Sequence, residues 1–190
     1  MDATVSVRSV AEIGPDTVAV TLDSPAGFDG RPGQFVKLTA VVGGEEESRF
    51  YTISSPDTED SFETTVGLDG GDFSAFLAAL SEGDEVEMSG PFGDDYYEGE
   101  VRAVVLAGGP GVGPAVAIAE AALDAGNVAA VVYRDEEPAH GERLDELRKR
   151  GASVVVTEGD IDDAVAEAVT GRDGEQAFVY GFADFVDEAV

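Results

Sequence analysis

The 190-residue chain has no cysteine, one histidine (His140) and only two lysines, Lys37 and Lys149. Without thiols it can form no disulfide, thiolate zinc site, cysteine-ligated iron–sulfur cluster or cysteine nucleophile. One imidazole rules out a multi-histidine metal site and an intrachain pair of haem-ligating histidines, so no metal centre is expected. Positive charge is scarce: 11 Lys and Arg stand against 40 Asp and Glu, a formal net charge of −29. Such a surface repels phosphate backbones and anionic lipid, so neither nucleic-acid binding by a basic patch nor membrane attachment is expected. Long apolar runs are missing too. The most apolar stretch, Ala103 to Ala119, is broken by glycines and by Pro110 and Pro114, which makes a poor membrane span. Residues 1–10 carry no apolar h-region, and a soluble, cytoplasmic protein is expected. The acid-rich, lysine-poor composition is like that of proteins from salt-loving microbes. At about 1 M salt the Debye length is roughly 3 Å and the self-repulsion is screened. On that halophilic reading the charge reports habitat rather than function.

What is present is enough apolar material for a core, with 43% hydrophobic and 27% charged residues interleaved. The length suits one large domain or two small ones. The first half reads as strands. Val5, Val7 and Val10 fall near a period of two, and Val18, Val20 and Leu22 alternate within TVAVTL. Segments 34–42, 50–54 and 86–88 are further strand candidates, punctuated by Gly and Pro turns. One helix interrupts them, with Ser74 as candidate N-cap of Ala75–Leu80 and Gly83 beyond. The spacing predicts a small antiparallel β-barrel. The grammar changes near Val101. Strands at 104–107, 128–133, 153–157 and 177–180 alternate with helices from about Pro114 to Ala125, Glu142 to Arg150 and Ile161 to Thr170. Continuous apolar strands separated by helices predict an α/β domain with a parallel sheet covered on both faces. The linker lies between Pro91 and Val101, which divides the chain into domains 1–97 and 98–190. The acidic clusters Glu45–Glu47 and Asp135–Glu137 read as solvated loops, and His140 as a polar-loop residue with no assigned role.

Three constellations carry chemistry. Gly108-Gly109-Pro110-Gly111-Val112-Gly113-Pro114 follows a buried strand and opens a helix. Absent Cβ atoms let the backbone approach a pyrophosphate, and the helix N-terminus offers N–H groups and partial positive charge. Pro114 in the first helical turn fits. The bland alternative is a tight strand–helix corner. In Arg49-Phe50-Tyr51-Thr52, an arginine lies two residues before a tyrosine, hence on the same face of a strand. Arginine can fork onto phosphate oxygens, and the tyrosine can stack on a planar ring. By itself the pair could equally be an exposed arginine on an ordinary strand. Gly71-Asp72-Phe73-Ser74, directly before a helix, offers a second glycine approach to a helix start, or a plain cap.

The order of these motifs resembles the ferredoxin–NADP reductase-like flavoprotein superfamily over nearly the whole chain. The matching stretches are Arg31-Pro32-Gly33-Gln34-Phe35, Arg49-x-Tyr51-Thr52-x-x-Ser55, Gly71-x-x-Ser74, Gly83-Asp84, Gly90-Pro91-Phe92-Gly93 and Gly109-x-Gly111-Val112-x-Pro114. The resemblance implies a Greek-key FAD-binding barrel followed by an NAD(P)-binding α/β domain. It implies that Arg49 pairs with the flavin phosphates and that Tyr51 packs on the isoalloxazine. Thr52 would hydrogen-bond near its N5 edge, making Tyr51 and Thr52 the candidate catalytic residues. Gly71, Asp72, Phe73 and Ser74 would hold the FAD pyrophosphate, and Ser55, Val66 and Gly67 complete the flavin set. Gly109, Pro110, Gly111, Val112, Gly113 and Pro114 would bind the nicotinamide nucleotide, with Tyr180 and Gly181 nearby. Asp135 could hold a ribose 2′-hydroxyl, or Arg134 a 2′-phosphate, so NAD and NADP both stay open.

The implied activity is transfer of hydride from NAD(P)H to FAD and of electrons onward to a separate acceptor, such as a ferredoxin, another redox protein or a small molecule. The sequence departs from the family in two places. Pro110 replaces the threonine of the Gly-Thr-Gly turn, and Tyr180-Gly181-Phe182 stands where Cys-Gly-Pro is frequent. A helix is expected from near Asp184, where many relatives go on to a further strand and a terminal aromatic. The alternatives are an electron-transfer subunit with a degenerate nicotinamide site, and a non-catalytic interaction module.

Overall fold

The computed structural model describes residues 1–68, 70–181 and 185–186. Its first half is a six-stranded antiparallel sheet made of β1 (Asp2–Gly14), β2 (Thr17–Asp23), β3 (Phe35–Val42), β4 (Glu45–Thr52), β5 (Ser61–Gly67) and β6 (Glu85–Phe92). The strand order is β4-β3-β6-β1-β2-β5. An antiparallel bridge between Ile53 and Thr64 joins the two edges, so β3, β4 and β5 run side by side and β6 returns beside β3. That is the Greek-key barrel expected. Alternation along the strands points Val5, Val7, Val18, Val20, Leu22, Val36, Leu38, Phe62, Val66 and Met88 into one core. Helix α1 (Asp72–Ala78) packs Phe73 and Leu77 into the same core.

The second half holds β7 (Arg102–Gly108), β8 (Val128–Arg134), β9 (Ser153–Thr157) and β10 (Glu175–Tyr180), all parallel, in the order β10-β7-β8-β9. Helices α2 (Val112–Asp124) and α3 (Gly141–Lys149) cover one face, where Ala103, Val105, Ala107, Val131 and Tyr133 meet Val116, Ala119, Leu144 and Leu147. On the other face Val104, Leu106, Ala130 and Val132 meet α4 (Asp162–Ala168) and Phe185. The sheet is therefore sandwiched as expected. Among the described residues no helix is long and apolar enough to cross a membrane.

Several local expectations need correction. Strand β5 was not anticipated, although Phe62, Thr64 and Val66 alternate into the barrel. Glu45–Glu47 is not a loop. It begins β4, which pairs with β3 along its whole length and keeps these carboxylates at the sheet edge. Ser74 is not an N-cap. Gly71 occupies that position in extended conformation, and the Ser74 hydroxyl donates back to the Gly71 carbonyl at 2.9 Å. Helix α2 begins at Val112, after a single 3₁₀ turn over Gly109–Gly111, rather than at Pro114. Helix α4 ends at Ala168, because the Thr170 amide and hydroxyl are bonded to the Glu175 carboxylate. Phe182 and Asp184 lie outside the described residues.

His140 is not in a polar solvated loop. It is 4% exposed and sits between the two halves, its Nε2 2.8 Å from the Thr65 hydroxyl of β5. Its amide donates to the Ile13 carbonyl of β1 at 2.9 Å. The backbone is left-handed, φ 54°, a conformation a non-glycine residue adopts at a cost of about 1–3 kcal/mol. Burial, with the Arg143 guanidinium nearby, lowers its pKa from 6.5 to about 3. Glu63 stands 4.0 Å away, but its carboxylate is engaged by Arg143. The buried ring is thus neutral. The unfolded chain binds a proton here below about pH 6.5 and the folded chain does not, so stability rises with pH between about 3 and 6.5. Wild type should therefore lose stability relative to His140→Gln as pH falls from 6.5 to 5, a window above most carboxylate titrations. Denaturant unfolding at both pH values checks this; parallel losses in the two proteins would refute the neutral-histidine assignment.

Candidate functional site

A cleft of about 420 Å³ opens between barrel and α/β domain. The period of two along β4 puts Arg49 and Tyr51 on one face, and both line it, with Thr52 at the strand end. The Tyr51 ring lies nearly parallel to that of Phe73 (14°, centroids 6.4 Å apart). The Arg49 guanidinium sits 5.8 Å above the same ring. Nη1 of Arg49 donates to the Ser48 carbonyl at 2.9 Å and Nη2 to Glu47 at 3.2 Å. Phe73 thus links Arg49 and Tyr51 to the start of α1, where Gly71 and Ser74 also line the cleft.

The facing wall comes from the parallel sheet. Strands β7 and β10 are neighbours, yet the chain leaves β7 toward β8 and returns to β10 on the other side. This is the point of an open α/β sheet where ligands settle, outside the carboxyl ends of the strands. Pro110, Gly111 and Pro114 from the turn after β7 line the cleft with Val179, Tyr180 and Gly181 from the end of β10. A Cβ on Gly111 would lie 2.3 Å from the Tyr180 carbonyl oxygen, so the turn rests directly on β10. A Cβ on Gly67 would stand 3.6 Å from Pro110, in ordinary contact, which brings barrel and turn together at the cleft floor.

The chemistry of this lining is selective. Among the described residues it holds one arginine, the hydroxyls of Thr52, Thr65 and Ser74, two tyrosines, several glycines, and no carboxylate. In a chain with 40 Asp and Glu, a lining without carboxylates lowers the repulsion that a bound anion would meet. Tyr180 also walls a second cleft, shared with Thr52 and bordered by Asp94, Asp95, Glu98 and Glu100. Burial, reinforced by the Asp95 charge, raises the pKa of its phenol, which stays protonated. A Cβ on Gly33 would lie 2.6 Å from the Tyr180 hydroxyl. The glycine of the Arg31–Phe35 motif thus makes room for this ring.

Of the sequence candidates, Arg49, Tyr51, Thr52, Gly67, Gly71, Phe73, Ser74, Pro110, Gly111, Pro114, Tyr180 and Gly181 come together in this cleft. Others do not line it. Val66 points into the barrel, 0% exposed, because β5 alternation sends 62, 64 and 66 inward. Its neighbour Thr65 lines the cleft instead and was missed with the strand. The Ser55 hydroxyl accepts the Glu63 amide, and Asp72 faces solvent. Gly109 opens the 3₁₀ turn behind the lining residues, and Val112 is buried in the α2 core. Gly113 packs on the barrel, where a Cβ would fall 2.2 Å from the Thr65 hydroxyl. Arg134 lies 4.9 Å over the Phe185 ring. Asp135 accepts the Tyr133 hydroxyl and the Glu137 amide, both at 2.9 Å.

Residues 4–97 match the family model of the oxidoreductase FAD-binding domain. This places the barrel in the oxidoreductase FAD-binding family, and the barrel, the parallel sheet and the cleft between them together have the fold of ferredoxin–NADP reductase and its structural relatives. Over 95 residues it is 36% identical to NADH-cytochrome b5 reductase 1 of Dictyostelium discoideum, covering 48% of this chain and 33% of that one. Over 133 residues it is 34% identical to a probable dihydroorotate dehydrogenase B (NAD(+)) electron transfer subunit of Methanopyrus kandleri, covering 68% and 47%. The crystal structure of the Amycolatopsis cytochrome P450 reductase GcoB superposes with a TM-score of 0.80 at 26% identity, covering 100% of this chain and 64% of that one. The chain spans a third to a half of the length of these two curated relatives.

Gly111 has an ordinary helical backbone (φ −61°), so alanine there is opposed by packing, against the Tyr180 carbonyl and the Gly181 nitrogen, rather than by backbone strain. Gly111→Ala should cost on the order of 1–3 kcal/mol in denaturant unfolding. Gly141→Ala, with nothing within 4 Å, should be neutral or stabilising. Equal stability of the two variants would contradict the packing described for the turn.

Proposed function

We propose that the chain is an NAD(P)H-dependent flavin oxidoreductase that passes electrons to a separate acceptor, with residues 1–97 holding FAD and residues 98–190 the nicotinamide nucleotide. The observation that carries this is the lining of the cleft. Among the described residues it is free of carboxylates, carries Arg49, and lies between a glycine-approached helix start on one wall and a glycine-rich strand-to-helix turn on the other.

The residues fit a flavin dinucleotide. Arg49 supplies a forked cation for phosphate, and Gly71 and Ser74 bring the start of α1 to the cleft wall. Tyr51 offers an aromatic face already aligned by Phe73, and Thr52 a hydroxyl at the strand end. Across the cleft, Pro110, Gly111 and Pro114 take the nicotinamide nucleotide's pyrophosphate. When bound, FAD supplies the redox chemistry, accepting a hydride from NAD(P)H and releasing electrons to the acceptor. The chain's own part is to bind, to align the two ligands and to keep water from between them. Thr52 would offer its hydroxyl to the flavin, and Tyr180 contributes a neutral, half-buried phenol to the same lining. No side-chain general acid is required.

The acceptor is a redox protein or a small molecule. Relatives include a cytochrome b5 reductase and an electron transfer subunit. A second reading, an electron-transfer subunit that does not itself use nicotinamide, is favoured by one feature. The bulky Tyr180 side chain stands at the shared wall of the two clefts. A cytoplasmic, salt-adapted setting is consistent with the −29 charge.

Protein purified at high salt should take up FAD and show flavin absorption, and anaerobic stopped-flow mixing with NADH or NADPH should bleach it. Flavin uptake without bleaching by either nucleotide selects the electron-transfer reading, and no uptake at all removes both. Arg49→Ala should weaken FAD binding about 10- to 100-fold, the loss of a charge-assisted pair. An unchanged FAD affinity would show that Arg49 does not hold the flavin.

A further inference from the structure

The two walls of the cleft belong to different halves of the molecule, and one side chain outside the cleft grips both. Arg143, in the first turn of α3, lies in the α/β domain. Its Nε and Nη2 clasp the Glu120 carboxylate of α2 at 2.8 and 2.6 Å. The same guanidinium crosses to the barrel. Nη1 donates to Glu63 of β5 at 2.9 Å, and Nη2 to the Ser54 carbonyl at 2.8 Å. The three charged side chains are each less than a quarter exposed. A bidentate, largely desolvated arginine holds geometry in a way that a surface ion pair does not.

What Arg143 grips is informative. Glu120 lies on α2, the helix that follows the Gly109–Gly111 turn and carries Pro114 in its first turn. Ser54 lies two residues beyond Thr52 and is held at both ends. Its carbonyl is taken by Arg143, and its hydroxyl lies 2.9 Å from the Thr65 hydroxyl and accepts the Thr65 amide at 3.0 Å. Thr65 lines the cleft and is bonded in turn to His140, three residues before Arg143. Gly113 leaves no room for a side chain between α2 and this pair of hydroxyls. The left-handed backbone at His140 is a strained conformation held in place by these contacts.

We propose that Arg143 is a positioning residue. It fixes the Pro110–Pro114 turn relative to the Tyr51–Thr52 strand end, and so sets the separation of the two ligands in the cleft. The second clause rests on the function proposed above; the first is a property of the chain alone. Through Glu120 the guanidinium holds one wall, and through Ser54 and Glu63 the other. Replacing it with an uncharged chain leaves two carboxylates facing each other across the junction, which drives the walls apart while each half keeps its own apolar core.

Amide hydrogen exchange of the full chain at high salt tests the first clause. In Arg143→Met, exchange at residues 54–55, 65–66 and 112–113 should rise at least tenfold, while β7 and β8 keep their protection. Arg143→Lys, which keeps the charge but not the fork, should fall between. Unchanged protection at the junction overturns the proposal. So does a uniform loss across both halves in both variants, which would make Arg143 a general stability residue. At equal flavin occupancy, the limiting rate of flavin bleaching by the nucleotide should drop at least tenfold in Arg143→Met; an unchanged limiting rate overturns the second clause. If wild type is not bleached at all, the oxidoreductase reading fails, and the exchange result still decides whether Arg143 positions the walls.

Discussion

An anionic ligand approaching a chain of net charge −29 is repelled from almost every direction. A site for it has to be built from what little positive potential the molecule can concentrate. Backbone N–H groups at helix starts are one source, and they add no side chain that could be lost to ion pairing. A scarce arginine is the other. Both are found in the cleft, together with an absence of lining carboxylates among the described residues. The architecture follows from this constraint. A helix start must be delivered to each wall, which takes a barrel plugged by α1 on one side and a parallel sheet with its strand-end corner on the other. Most acidic residues are left to the outer surface, where salt screens them, while Glu63 and Glu120 are paired with Arg143 at the junction.

Delivering two helix starts to one cleft creates a further demand, since the corners come from independent cores. Barrel and sheet each bury their own apolar cluster, and neither core dictates how the halves face each other. The junction between them is polar and closely fitted. It includes the Thr65, Ser54 and His140 hydrogen bonds, the Arg143 clasp, and glycines at 14 and 113 where backbone must approach, with Ile13 of β1 packed on the α/β core beside them. Polar groups suit this place because hydrogen-bond geometry is directional, whereas apolar contact tolerates sliding.

Periodicity made the two-part architecture legible, and the resemblance of the motifs to a flavoprotein superfamily supplied most of the cleft. The shift from alternating strands to apolar strands separated by helices located the change of fold class. The spacing of Arg49 to Tyr51 correctly put both side chains on one face. Strand β5 escaped because Ser61, Glu63, Thr64 and Thr65 dilute its apolar content, although Phe62 and Val66 mark its inward face. Missing it cost Thr65, while Val66, which came from the resemblance, points away from the cleft into the barrel. That is the penalty of a period of two, where a shift of one residue reverses the face. Glu45–Glu47 misled in another way. A run of carboxylates reads as loop, yet an edge strand tolerates it because its outer side meets only water. The junction was the least legible part. Glu63, Glu120, His140 and Arg143 are far apart in the chain, and each alone looks like an ordinary solvated polar residue.

Tyr180 shows how one residue can be bound by both halves at once. It ends β10 and belongs to the sheet, but its hydroxyl reaches across to Gly33 of the barrel, and burial keeps that hydroxyl protonated. A smaller residue there would join the two clefts that Tyr180 now separates. A charged one would bring a buried charge beside Asp95 or into the carboxylate-free lining. A large, neutral side chain satisfies both halves. The glycine at 33 is its steric complement, since any Cβ there would collide with the ring's hydroxyl. The motif Arg31–Phe35 and the end of β10, nearly 150 residues apart, are thus one structural unit. The departure at Tyr180 is matched within the barrel rather than standing as an isolated substitution.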